Sequence, residues 1–65
     1  MQFKKTLEIK ANHKRVVINV ADILYIKASM NGCYIHVTSG NVYKTRSTLE
    51  AMEAQVGEYF WEYLL

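Results

Sequence analysis

Apolar and polar residues alternate along most of the first 46 positions, and a period of two predicts β-strands. From Phe3 to Lys10, Leu7 and Ile9 fall on one side and Thr6, Glu8 and Lys10 on the other. Ala11 to Lys14 is a polar connector with turn chemistry at Asn12. Arg15 to Val20, with β-branched Val16, Val17, Ile18 and Val20, predicts a second strand. The tip between the two strands, Asn12 to Arg15, then presents His13, Lys14 and Arg15. Ala21-Asp22-Ile23 breaks the pattern, and Asp22 is suited to cap a short turn by accepting backbone N–H bonds.

The stretch from Ile23 to Arg46 predicts two hairpins in series. Asn31-Gly32 favours a two-residue type I′ loop, which needs positive φ at both central residues. Such a loop sets Met30 opposite Cys33, Ala28 opposite Ile35 and Ile26 opposite Val37, with Leu24 on the same apolar side. Tyr25, Lys27 and Ser29 then oppose Tyr34, His36 and Thr38 on a polar, aromatic side. A slip of one residue would mix the two sets. The second turn, Ser39-Gly40-Asn41, leaves its register open. A two-residue Ser39-Gly40 loop pairs Val37 with Val42, whereas a three-residue loop turns the other face of Val42 to Arg46 inward.

Beyond Arg46 the period lengthens. Ser47-Thr48-Leu49-Glu50 reads as a capping box, followed by Leu49, Met52 and Val56 at helical spacing. Glu50, Glu53 and Gln55 stay outside, and Gly57 supplies the stop. A helix this short is marginal alone and must dock on the sheet. Glu58 to Leu65, EYFWEYLL, holds six large apolar or aromatic residues in eight. Such a segment is expected inside a core, against another chain, or within a longer protein, because as an exposed end it invites association.

At 65 residues the chain predicts a single domain, residues 1–65, mainly β with one short α-helix and built from antiparallel hairpins. A domain of this size buries only about 60% of its unfolded surface, so its stability margin is thin. The single Cys33 excludes an internal disulfide. No run reaches the roughly 18 apolar residues of a membrane helix, and the alternating first ten residues lack the apolar centre of a signal peptide. With a lone thiol, a cytoplasmic location is the simplest expectation. The net charge is only +2, but all eight Lys and Arg precede residue 47 while four of the six acids follow it. The β part therefore carries +6 and the tail −4, an asymmetry that points to a polyanionic partner for the β part.

Few residues are arranged for catalysis. Cys33 and His36 point to opposite faces of one strand, no zinc spacing is present, and there is no glycine-rich phosphate loop. An enzyme, a metal, a cofactor or a small-molecule substrate is not expected. Nucleic acid remains, by two routes. The sheet face with Tyr25, Tyr34 and His36, and Tyr43 as a further candidate, would stack unpaired bases. Alternatively the tips at Asn12 to Arg15 and Ser29 to Cys33 would reach a duplex, where Asn31 suits adenine and Lys or Arg suits guanine or phosphate.

The runs VINVADILYIKA and CYIHVTSGNVYKTRSTLEAMEAQVGEYF resemble the bacterial LytTR-type DNA-binding domain. Asp22, Ile23, Leu24, Tyr25, Ile26, Ala28, Tyr34, His36, Gly40, Tyr43, Arg46, Leu49, Glu53 and Phe60 match its pattern over roughly residues 7 to 60. The resemblance implies a mainly β transcription-regulation domain, often joined to a phosphorylatable receiver as in response regulators. It implies binding to promoter direct repeats through loops set in successive major grooves, one of them being Ser29, Met30, Asn31, Gly32 and Cys33 here. Lys27 stands where the family usually has Glu, and after Phe60 the family's basic segment and later strands are replaced by Trp61 to Leu65. An incomplete, truncated domain is therefore expected, with residues 58–65 forming an association surface in a homodimer. The expected contacts are Lys10, Lys14 and Arg15 on phosphates, with Ser29, Met30, Asn31 and Cys33 near base edges of duplex DNA. The alternative is a remnant that binds no DNA and acts as a dimerisation module.

Overall fold

The computed structural model describes residues 5–64; Phe3 and Leu65, which belong to the predicted first strand and the aromatic tail, lie outside the described residues. The elements are β1 (Thr6–Ala11), β2 (Lys14–Asn19), a 3-10 turn (Val20–Asp22), β3 (Ile23–Ser29), β4 (Gly32–Val37), β5 (Val42–Thr45), α1 (Leu49–Val56) and a second 3-10 segment (Glu58–Tyr63). β1 and β2 form an antiparallel ribbon, and β3-β4-β5 form an antiparallel sheet in that order. The fold is mainly β with one short α-helix, as the alternation predicts.

The type I′ geometry sits in the first hairpin, not the second. Ala11 pairs with Lys14, and the two loop residues Asn12 and His13 have φ of 52° and 64°. Among the described residues no other non-glycine has positive φ, so Asn31 does not. In the β3–β4 hairpin Ser29 pairs with Gly32 around a Met30-Asn31 loop. Ala28 therefore faces Cys33 and Ile26 faces Ile35, two residues away from the expected partners. An even shift keeps the same face inward, which is why Ile26, Cys33, Ile35 and Val37 are all buried. Met30, expected opposite Cys33 on the apolar side, moves into the loop and is 94% exposed, and Ala28 is exposed too. Gly32 serves a close approach instead. Its φ is 142°, and a Cβ there would overlap the Thr45 carbonyl oxygen and lie 2.9 Å from the Arg46 Cα.

Two further expectations on the sheet are corrected. Leu24 does not join the apolar face: a register shift between Ile23 and Tyr25 gives the core position to Ile23 and leaves Leu24 57% exposed. The short turn is capped by Asn19, whose Oδ1 accepts from the Ala21 amide at 3.2 Å, and not by the Asp22 side chain. The open register of the second hairpin resolves to a three-residue loop, with His36 paired to Val42. Tyr43 and Thr45 then turn inward while Val42 and Lys44 stay exposed. The two-residue loop would have turned Lys44 and Arg46 into the core, where unpaired charges are costly.

The helix starts one residue later than the capping box implies. Thr48 is the N-cap, its Oγ1 accepting from the Ala51 amide at 3.1 Å, because the Ser47 hydroxyl is occupied beside Thr45 at 3.1 Å. Met52 and Val56 are buried as predicted, with Leu49 partly so. Gln55 is exposed yet not idle. Its amide oxygen accepts from the Glu8 N–H and its nitrogen donates to the Glu8 carbonyl, both at 2.9 Å, satisfying the edge of β1 that β2 leaves open. Phe60 is fully buried, and Leu64 makes a parallel bridge to Ile26. The aromatic tail thus closes one continuous core shared by both sheets and α1. Tyr59 and Trp61 face outward at 67% and 44% exposure.

Candidate nucleic-acid interface

The two sheets meet at the end where the β1–β2 turn lies beside the last residues of β5. Thr45 joins them. It is the one buried polar residue among those described, at 2% exposure. Its hydroxyl donates to the Lys10 carbonyl at 3.0 Å and accepts from the Ser47 amide at 3.1 Å. A buried hydroxyl without such partners would cost free energy, so the pair of bonds fixes the first hairpin against β5. Gly32 brings the β3–β4 tip to the same place, since its backbone packs directly on Thr45 and Arg46.

The result is an open groove walled by Lys10, Asn12 and His13 on one side and by Lys44 and Arg46 on the other. Thr45 and Ser47 also line it. Among the described residues no carboxylate lines this groove. Glu8 borders the adjoining hollow with Arg15, and the two side chains are 3.5 Å apart. Both are largely exposed, so that ion pair is screened and worth little. Four nitrogen-bearing cationic or protonatable side chains around a carboxylate-free groove attract anions, and phosphate above all.

Of the residues expected to meet DNA, Lys10, Lys14 and Arg15 are exposed on the first hairpin, and Lys10 lines the groove. Ser29 and Asn31 are exposed, and Met30 is 94% exposed at the tip of the second hairpin. Cys33 is the exception. It pairs with Thr45, is 1% exposed and points into the core, its Sγ 3.8 Å from the Ser47 carbonyl. A thiol buried in this way does not reach a base edge, and burial pushes its pKa up. Lys44, Arg46 and the Thr45 clamp were not among the expected contacts, and His13 was expected only as part of the Asn12–Arg15 tip. The signal for Lys44 and Arg46 was present in the cost of burying them, which selects the register that exposes both.

The outer face of the three-stranded sheet carries the predicted aromatic residues, less one. Tyr25 and His36 stack on each other with centroids 4.2 Å apart and planes 19° apart. The Lys44 ammonium lies 5.7 Å from the Tyr34 ring centroid. Tyr43 is turned to the core and leaves this face. Because Tyr25 and His36 each use one ring face on the other, the surface left for stacking an unpaired base is small.

A mainly β domain that gathers exposed hairpin tips and cations at one end has the makings of a nucleic-acid-binding domain. The profile of the LytTr DNA-binding domain matches residues 13–63. The chain belongs to that family, and is a DNA-binding domain of the transcription-regulating kind. Comparison with curated proteins and with solved structures gives no significant match. Among the described residues no helix is long and apolar enough to cross a membrane.

Proposed function

We propose that this domain holds duplex DNA across its basic end, with the two hairpin tips entering the duplex. Lys10, Lys14, Lys44 and Arg46 contact phosphates, and Arg15 does so once released from Glu8. Ser29, Met30 and Asn31 approach base edges, where the Asn31 carboxamide fits adenine N6 and N7. The observation that carries this reading is the carboxylate-free groove between Lys10 and Arg46. Such contacts release counterions, so affinity falls steeply with salt. The assay is fluorescence anisotropy on a labelled promoter duplex over a salt series. Lys10→Ala with Arg46→Ala is expected to weaken binding at every sequence and to flatten the slope of log K against log salt by about two. Asn31→Ala is expected to relax base preference while leaving that slope alone. A double variant with wild-type affinity and slope would refute the reading.

A second reading rests on Tyr59 and Trp61, which stay exposed although Phe60 between them is buried. In it the tail is a dimerisation surface. Light scattering of the wild type and of Tyr59→Ser with Trp61→Ser decides: this reading requires a dimer in the first and a monomer in the second.

A further inference from the structure

The turn at Asn12-His13 is strained in a way its neighbours are not. A two-residue type I′ loop asks for left-handed backbone at both positions, and glycine is the residue that adopts it without a Cβ penalty. Asn12 is a tolerated substitute. His13, at φ 64°, is another, since Asn, Asp and His enter left-handed backbone more often than other side-chain-bearing residues, but it still carries a Cβ penalty that glycine does not. The second position of such a turn is where Asn-Gly sequences place their glycine. The imidazole adds nothing to the core: it is exposed, and it stands at the wall of the groove beside Lys10, Lys44 and Arg46. Strain held at an exposed, charge-lined position is a reason to look for work done by the side chain.

We propose that His13 is a proton-dependent DNA contact, so that this domain binds duplex more tightly as pH falls through the histidine range. This inference rests on the groove reading above and adds to it a residue and a pH response. Around His13 the groove is lined by Lys10 on β1, by Lys44 on β5 and by Arg46 just beyond it. Glu8, paired with Arg15, borders the adjoining hollow, and no carboxylate among the described residues lines the groove itself. A phosphate laid in the groove stabilises the imidazolium and accepts a charge-assisted hydrogen bond from it. The complex then binds a proton more readily than the free domain does. The added affinity is complete below the free domain's titration and is lost as pH rises through the titration of the complex.

The sequence makes the test clean, since His13 and His36 are its two histidines. His36 is stacked on Tyr25 on the outer sheet face, away from the groove lining. The experiment measures anisotropy of a labelled mixed-sequence duplex at low salt between about pH 6 and pH 8, with thermal unfolding of each variant alongside. Wild type and His36→Gln are expected to bind about threefold to tenfold more tightly at the lower pH, as one extra phosphate contact implies. His13→Gln is expected to lose that dependence, and His13→Gly to lose it while unfolding at a higher temperature, because glycine relieves the turn. A wild-type pH response retained in His13→Gln, or removed by His36→Gln, overturns the inference and leaves the groove reading standing. Absence of duplex binding by the wild type at both pH values overturns both.

Discussion

Gly32→Ala is the most demanding test of how the basic end is built. Gly32 opens β4 at φ 142°, a conformation that costs a residue with a Cβ about 1–3 kcal/mol. The new methyl would also overlap the Thr45 carbonyl oxygen and come within 2.9 Å of the Arg46 Cα. These are backbone atoms, so no side-chain rotation relieves the clash; β5 must move away from β4. That movement strains the Cys33–Thr45 pairing and the bonds of the buried Thr45 hydroxyl to Lys10 and Ser47. An unsatisfied buried hydroxyl and carbonyl cost about 1–3 kcal/mol more. The sum is about 2–6 kcal/mol. A domain of this size, at roughly 0.05–0.15 kcal/mol per residue, has about 3–10 kcal/mol to lose. Urea unfolding followed by far-ultraviolet circular dichroism is expected to show Gly32→Ala largely unfolded, or with its midpoint cut by about half or more. A loss below about 1 kcal/mol with an unchanged m-value would show that the close approach does not constrain the sheet.

Two smaller perturbations probe the same region. Thr45→Val keeps the volume and removes the hydroxyl that joins the Lys10 carbonyl to Ser47, so a loss of about 1–2 kcal/mol is expected in thermal unfolding; a neutral variant would mean that water replaces the hydroxyl at no cost. Burial raises the Cys33 thiol pKa, so deprotonation is harder in the folded chain than in the unfolded one. The stability this carries is present below the ordinary thiol range and is lost as pH rises through the raised value, with alkylation by iodoacetamide expected about tenfold or more slower in the native protein than in urea. Equal rates in the two states would place the thiol at the surface.

Much of this architecture was legible because alternation is a strong constraint. Leu7 and Ile9 on β1, Ile26 on β3 and Ile35 on β4 are buried where period two puts them. Turn chemistry was less legible. Asn31-Gly32 has the composition of a type I′ loop, yet its glycine answers to the neighbouring strand β5, and that contact has no local signature. The true type I′ turn hides behind a histidine, which the ordinary preference for glycine passes over. The bulge that exposes Leu24 is equally silent, since Ile23 and Leu24 are alike in hydrophobicity and only the pairing with Val37 separates them. At the site, the cations on the first hairpin were readable as a charged tip. Lys44 and Arg46 required the β4–β5 register, and Cys33 was drawn into the expected contact set by its neighbours in sequence while its side chain faces the core.

Charge and fold are coupled through the helix. Ser47 lies in the groove, Gln55 reaches Glu8, and the Val56 carbonyl accepts from the Lys5 ammonium at 2.9 Å. The helix therefore leaves the basic end and runs back along β1 toward its start, taking Glu53, Glu58 and Glu62 away from the groove. The same docking buries Met52, Val56 and Phe60, so the hydrophobic contacts that stabilise the domain also hold its acidic tail in place. A mutation that undocks the helix would free Glu53, Glu58 and Glu62 to approach a cationic groove, where they compete with phosphate. Loss of DNA affinity in core variants of α1 is thus expected to exceed what the unfolded fraction accounts for, and to shrink as salt screens the competing carboxylates.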